Sequence, residues 1–318
     1  MPEILIALIS GIVLLLFSTK TLIKLSETLS LSLKLSPLII GMTVVAIGTS
    51  LPELSVSTIA SLQHDYGLAV GNIIGSNIVN ILLVFSVGIL IGNLRIGTTK
   101  TPRNAIILLL FTFIYTYTHL FTNFPRQTLG LFFITTSFLV TFLEYKWALF
   151  GRTHEDNKKF KNSKRVRFTL GKLILLIMSV AGIITGGYFI VTSTEKLSLI
   201  TGLSTGVLGL TLTAVATSLP ELLTTIFSQE EHEEKMTIGN IIGSNIYNLF
   251  LIGGIIDLFS GNTNLIQINW LTLNLTTVFL VLIIFIFRGK TIPKWIGLTS
   301  LLLFFMYILY ETKNLSLN

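Results

Sequence analysis

The chain contains no cysteine, so a disulfide framework, a thiolate metal centre and a cysteine nucleophile are all excluded. Charge is nearly as scarce. Asp, Glu, Lys and Arg make up 12% of the 318 residues, against roughly 25% in a soluble domain. There are four histidines, and His64, His119, His154 and His232 all fall in loops or at the ends of apolar runs, which argues against histidine chemistry deep within those runs. No Gly-x-Ser-x-Gly nucleophile elbow is present. The stretch His232-Glu233-Glu234-Lys235-Met236 begins like a zinc-protease helix but lacks the second histidine. An enzyme is therefore not expected, and neither is a cofactor.

What the chain has in abundance is apolar length. Hydrophobic residues supply 51% of it and the mean hydropathy is +0.80. Runs of about 20 apolar residues, each enough to cross about 30 Å of hydrocarbon, recur from end to end. They predict ten spans, at 4–23, 36–62, 68–92, 104–122, 128–149, 169–192, 203–228, 236–258, 268–287 and 292–310. The first has a long apolar core and no obvious small-residue cleavage site, so it reads as a span rather than a cleaved signal peptide. With alternating loops, all of the 22 Lys and Arg except Arg126, Lys196 and Lys313 fall on one side. The positive-inside rule makes that side cytoplasmic and puts both termini outside. An all-α integral protein of the cell membrane follows, with the lipid bilayer as its surroundings. The net charge of +7 is mostly this asymmetry and gives no reason to invoke nucleic acid. Nothing calls for a partner chain, and a monomer would suffice.

The chain is also a duplication. Gly41-Met42-Thr43-Val44-Val45-Ala46-Ile47-Gly48-Thr49-Ser50-Leu51-Pro52-Glu53 recurs 168 residues later as Gly209-Leu210-Thr211-Leu212-Thr213-Ala214-Val215-Ala216-Thr217-Ser218-Leu219-Pro220-Glu221. About 30 residues beyond each copy, Gly71-Asn72-Ile73-Ile74-Gly75-Ser76-Asn77-Ile78-Val79-Asn80 recurs as Gly239-Asn240-Ile241-Ile242-Gly243-Ser244-Asn245-Ile246-Tyr247-Asn248, at the same offset. Five spans per half is an odd number, so the second copy enters from the opposite face. The halves are then inverted repeats, the plan of secondary transporters. Residues 1–150 form the first repeat, 151–168 a cytoplasmic linker and 169–318 the second repeat. The linker's Lys158, Lys159, Lys161, Lys164, Arg165 and Arg167 carry the topogenic charge, with contact to anionic lipid as the sharper alternative. Glu230-Glu231-His232-Glu233-Glu234 reads as a solvated loop, with a regulatory cation site as the alternative.

Each motif sets polar groups inside apolar sequence. Pro52 and Pro220 each leave an upstream carbonyl without its amide partner and kink their helix. Such backbone survives at membrane depth only when buried in protein or lining a cavity. Ala46, Thr49, Ser50 and Glu53 fall at i, i+3, i+4 and i+7, on one helical face, as do Ala214, Thr217, Ser218 and Glu221. Ser76 with Asn80, and Ser244 with Asn248, are i, i+4 pairs. The bland reading, in which the prolines only bend helices and the hydroxyls bond back to their own backbone, cannot cover the glutamates. A buried carboxylate must be paired, cation-bound or protonated, and no span offers a lysine or arginine near its middle. An all-oxygen pocket with carboxylates suits a hard cation such as Ca²⁺.

The Gly-Thr-Ser-Leu-Pro-Glu of residues 48–53, its Ala-Thr-Ser-Leu-Pro-Glu echo at 216–221 and the two Gly-Asn-Ile-Ile-Gly-Ser-Asn blocks resemble the alpha repeats of the sodium/calcium exchangers. These belong to the cation/calcium antiporter superfamily, here in its compact prokaryotic form. The resemblance covers the whole chain in span count and loop pattern. It implies ten transmembrane helices as two inverted five-helix repeats, with kinked helices 2, 3, 7 and 8 forming a central ion site. It makes Glu53 and Glu221 the central Ca²⁺ ligands. It also implies Na⁺ sites built from Ala46, Thr49, Ser50, Ser76, Ala214, Thr217, Ser218 and Ser244 with the glutamates, and it adds Asn80 and Asn248 to the metal set. Many relatives carry Asp where this chain has Asn248, so the four central side chains supply at most two negative charges. Two carboxylates balance one Ca²⁺, leave +1 with three Na⁺, and balance two Na⁺ or two H⁺.

The expected function is antiport of Ca²⁺ against Na⁺ by alternating access, with both ions bound as substrates and Ca²⁺ extruded from the cytoplasm. The alternative is a proton-coupled Ca²⁺ antiporter, which would use the same fold and glutamates. A channel is a third reading, disfavoured by antiparallel repeats around a single site.

Overall fold

The computed structural model describes residues 2–32, 46–97, 100–150, 169–230, 234–259 and 270–313. Gly41 and the first part of the 36–62 span, the linker with His154, and the centre of the acidic run with His232 lie outside the described residues. Nearly everything described is helix. The exception is a pair of single bridges, Arg95 to Thr291 and Ile96 to Arg288, which join two turns.

In chain order, α1 is Pro2–Ser32. A broken rod follows, made of α2 (Ala46–Thr49) and α3 (Leu51–Leu62). The next rod runs from α4 (Tyr66–Val79) through a π turn at Asn80–Val84 into α5 (Phe85–Ile91). Then come α6 (Lys100–Phe121), α7 (Arg126–Phe150) and α8 (Leu170–Thr201). After α8, α9 (Thr205–Leu208) passes through a π turn at Gly209–Thr213 into α10 (Ala214–Thr217), and α11 is Leu219–Glu230. A rod of α12 (Glu234–Tyr247), a π turn at Asn248–Ile252 and α13 (Gly253–Phe259) follows. The last helices are α14 (Trp270–Ile286) and α15 (Lys294–Lys313).

Eight of these rods are long and apolar enough to cross a membrane. The expected span at 268–287 is the shorter apolar helix α14, and the span expected at 36–62 is described only from Ala46 onward. The largest departures from the expected edges are at α1 and α8, placed at 4–23 and 169–192 but found to extend to Ser32 and Thr201. Hydropathy locates only the lipid-facing part of a helix. Beyond it α1 continues through polar residues whose hydroxyls bond back to the turn below, Thr21 to Phe17 O at 2.8 Å and Thr28 to Lys24 O at 2.9 Å.

Local chemistry sets the helix ends. Asp65 caps α4 by accepting from Leu68 N at 2.9 Å, and Ser204 caps α9 by accepting from Val207 N at 3.4 Å. Gly202, at φ +72°, closes α8 in the left-handed conformation that glycine adopts without strain. Lys294 Nζ donates to Leu90 O and Gly92 O at 2.6 and 2.7 Å, a cation on the carbonyl end of α5.

The duplication is visible residue by residue. The bounds of α2, α3, α4, the first asparagine π turn and α5 reappear, each shifted by 168, as those of α10, α11, α12, the second asparagine π turn and α13. The equivalent helices α1 and α8 pack on each other through small residues. A Cβ on Gly11 would stand 2.9 Å from Phe189 Cβ, and one on Gly186 2.8 Å from Gly11 O. Such close approach is how helices associate where lipid removes the hydrophobic drive. Their outer faces present Ile6, Ile9, Val13 and Phe17 on α1, and Ile174, Ile177 and Ile184 on α8. In contrast, the rod from Tyr66 to Ile91 is almost wholly buried, whereas most of the apolar stretch of α1 is not. The rods that carry the repeated motifs are therefore the core, and the remaining helices shield them.

Candidate functional site

Both helices that carry a glutamate are interrupted one residue after the threonine. Ser50 (φ −84°, ψ 4°) and Ser218 (φ −82°, ψ 6°) leave helical geometry just before Leu51-Pro52 and Leu219-Pro220. Proline lacks the amide that would complete the helix at that turn, so the break sits where the sequence placed it. Glu53 and Glu221 then begin the following helices, and both are 0% exposed.

The halves are interlocked. Ser218 Oγ donates to Glu53 Oε1 at 3.1 Å, and Thr217 faces the same carboxylate. Glu221 faces Thr49, Ser50 and Ser244. Thr217 Oγ1 lies 3.3 Å from Ser76 Oγ, and Thr49 Oγ1 lies 3.4 Å from Ser244 Oγ. Glu53 Oε2 and both oxygens of Glu221 accept no hydrogen bond among the described residues. Removing a charge from water without such bonds is costly.

Thr49, Ser50, Glu53, Ser76, Thr217, Ser218, Glu221 and Ser244 are thus brought together. Ala214, buried at the start of α10, contributes its carbonyl, which accepts from Thr217 Oγ1 at 3.3 Å. Ala46 opens α2. Asn80 and Asn248 are not joined to this network. Each opens a π turn one helical turn beyond Ser76 or Ser244, is 0% exposed, and has neither amide atom bonded among the described residues. A π turn inside an α-helix is a frequent companion of function. Close approach comes from glycine: a Cβ on Gly75 would stand 2.5 Å from Leu210 O and 2.7 Å from Ala214 Cβ. That contact presses α4 onto the second half and carries Ser76 to Thr217.

Sequence reasoning missed two members. Thr217 Oγ1 donates to Asn72 Oδ1 at 3.2 Å, and Thr49 Oγ1 donates to Asn240 Oδ1 at 3.3 Å. The signal was available, because each asparagine lies i−4 from the motif serine. A separate buried pair was missed as well: His119 Nε2 lies 3.2 Å from Asp257 Oδ1, with Tyr115, Phe133 and Trp270 packed around the imidazole. Its partners are far apart in sequence and belong to neither repeated motif.

Chemically the site is oxygen only: two carboxylates, hydroxyls, amide oxygens and a backbone carbonyl. Among the described residues no group of three or more His, Cys, Asp or Glu comes together, so its charge is that of two glutamates.

The family described as sodium/calcium exchanger protein matches residues 3–148 and again 171–313. The sodium/calcium exchanger MaX1 of Methanosarcina acetivorans is 28% identical over 95% of this chain and 96% of its own length. An uncharacterized membrane protein of Methanocaldococcus jannaschii is 32% identical over 94% of both chains. Among solved structures, the sodium-calcium exchanger NCX_Mj soaked with 2.5 mM Na⁺ and 0.1 mM Ca²⁺ superposes with a TM-score of 0.67 at 27% identity, covering 96% of this chain and 97% of that one.

Proposed function

The chain belongs to the sodium/calcium exchanger family, and from that premise we propose that it exchanges Ca²⁺ for Na⁺ by alternating access at one central site. One observation carries the reading. Two fully buried glutamates from equivalent positions of the two halves face each other's serines and threonines, with three carboxylate oxygens unbonded among the described residues. Two ionised carboxylates match the charge of Ca²⁺, and the surrounding hydroxyl, amide and carbonyl oxygens suit its demand for about six to eight ligands. Glu53 and Glu221 are its central ligands in this reading. Ala46, Thr49, Ser50, Ser76, Ala214, Thr217, Ser218 and Ser244 serve Na⁺ with the glutamates, and Asn80 and Asn248 complete the pocket from the π turns.

Residues 1–150 and 169–318 are then two five-helix repeats of opposite orientation, ten transmembrane helices in all, joined by the cytoplasmic segment 151–168. The 168-residue register of matching elements and the family match to each half support this. The distribution of Lys and Arg favours outward termini and residence in the cell membrane. Downhill Na⁺ entry would drive Ca²⁺ out, because both ions need the same carboxylates and only the occupied site changes sides.

The test is ⁴⁵Ca²⁺ uptake into everted vesicles under imposed Na⁺, K⁺ or H⁺ gradients, each with the others clamped. Uptake driven by Na⁺ at fixed pH supports Na⁺ coupling. Asn248 leaves two charges that two protons would also neutralise, so uptake driven by H⁺ alone would transfer the assignment to a proton-coupled Ca²⁺ antiporter. Flux independent of any counter-ion would contradict antiport.

A further inference from the structure

Asn72 and Asn240 are not among the ligands assigned to Ca²⁺ or Na⁺ above, yet each accepts the proton of the threonine hydroxyl that the opposite half contributes. A hydroxyl has one proton and two lone pairs. Thr217 Oγ1 has Asn72 Oδ1 at 3.2 Å, Ala214 O at 3.3 Å and Ser76 Oγ at 3.3 Å in reach, and it also faces the Glu53 carboxylate. When the proton goes to Asn72, the Ala214 carbonyl keeps only the amide of Ser218, at 3.0 Å, and has a lone pair free, and the threonine's own lone pairs can turn toward a cation. If it goes to Ala214, both oxygens are compromised.

The orientation of Asn72 is itself fixed. Its Nδ2 donates to Ser57 Oγ at 3.0 Å, which obliges Oδ1 to face Thr217. The second half departs from this pattern. Thr225 stands 168 residues after Ser57, where the repeat would place the matching acceptor, but Thr225 Oγ1 and Asn240 Nδ2 both find no partner among the described residues. The methyl group of Thr225 is turned toward α5, 3.1 Å from where a Cβ of Gly88 would lie. One brace is therefore locked by a third helix and its counterpart is not.

Resting on the exchanger reading above, we propose that Asn72, held by Ser57, is a positioning residue that keeps the Thr217 and Ala214 oxygens available to the transported cation, and that the Asn240 brace lacks this lock.

The experiment measures the Ca²⁺ concentration dependence of Na⁺-driven uptake in proteoliposomes, with maximal rate normalised to folded protein. Losing one neutral hydrogen bond in a buried network corresponds to about a 3- to 10-fold effect. Asn72→Leu and Ser57→Ala should each raise the half-saturating Ca²⁺ concentration by about that much, with the maximal rate within about twofold of wild type. Thr225→Ala, at the matching position, should leave it unchanged. A purely structural role would instead reduce the yield of folded protein or the maximal rate. If Asn72→Leu fails to fold, Ser57→Ala decides. Wild-type half-saturation in the folded variants, or an equal shift in Thr225→Ala, overturns the assignment while leaving the exchanger reading intact. Absence of saturable Ca²⁺ uptake in the wild type overturns both.

Discussion

Ser218 and Glu53, 165 residues apart in sequence, are joined by a 3.1 Å hydrogen bond from the serine hydroxyl to the carboxylate. The carboxylate of one half is thus held by the hydroxyls of the other, and Glu221 faces Thr49 and Ser50 in the mirrored relation. Neither half owns a complete site, so any movement between the halves remakes the ion's surroundings. Alternating access needs that property.

Glu53→Gln and Glu221→Gln each remove one of two charges at a dry site. Losing one partner of a buried charge pair typically costs 2–5 kcal/mol or more, so Ca²⁺ uptake in everted vesicles should fall about 30-fold or further. Folding should be preserved, since each change removes a buried charge. Size-exclusion profiles and ⁴⁵Ca²⁺ uptake of both variants check the two statements.

On the proposed site, in which Asn248 completes the pocket, Asn248→Asp adds a third carboxylate. In the wild type the Ca²⁺-loaded site carries no net charge, and Ca²⁺:Ca²⁺ self-exchange should ignore the membrane potential. In the variant the loaded site carries −1, and about 2.3 kcal/mol per 100 mV acts on its movement. Self-exchange should become voltage-dependent, as measured with potassium diffusion potentials.

Protons and Ca²⁺ should compete. Protonating either glutamate removes the charge that attracts Ca²⁺, so at fixed Na⁺ gradient the half-saturating Ca²⁺ concentration rises as pH falls. Titrating uptake at several pH values should show this shift, with the maximal rate recovered at high Ca²⁺.

Gly75→Val places a side chain against Leu210 O and Ala214 Cβ, pushing α4 off the second half and parting Ser76 from Thr217. Transport should be lost. Gly171→Val, where an added Cβ meets nothing within 4 Å, should transport normally in the same assay.

His119 and Asp257 tie α6 to α13 away from the repeated motifs. His119→Phe should lower stability by about 1–3 kcal/mol through the lost hydrogen bond while leaving the half-saturating Ca²⁺ concentration unchanged. Thermal unfolding in detergent and the uptake assay together separate the two effects.

Much of this was legible in the sequence because the duplication acts as an internal comparison. Pro52 and Pro220 announced the helix breaks, but the i, i+3, i+4, i+7 spacing assumed an unbroken helix, whereas the chain is interrupted at Ser50 and each Thr-Ser pair faces the glutamate of the other half. Asn72 was legible only as the i−4 neighbour of Ser76; its hydrogen bond with Thr217, across 145 residues, is encoded by no local spacing. The π turns at Asn80 and Asn248 have no sequence rule behind them, since the neighbouring Ile-Leu-Leu-Val and Leu-Phe-Leu-Ile read as ordinary apolar helix. The full lengths of α1 and α8 escaped because hydropathy ends where lipid ends, whereas backbone hydrogen bonding continues.

The most direct test is equilibrium Ca²⁺ binding to the purified protein, titrated in the presence of increasing Na⁺. One Ca²⁺ per chain, displaced competitively by Na⁺ and absent from the combined Glu53→Gln and Glu221→Gln variant, is the predicted result. Calcium bound with wild-type affinity by that variant, or held without competition from Na⁺, would contradict a shared site built on the two glutamates.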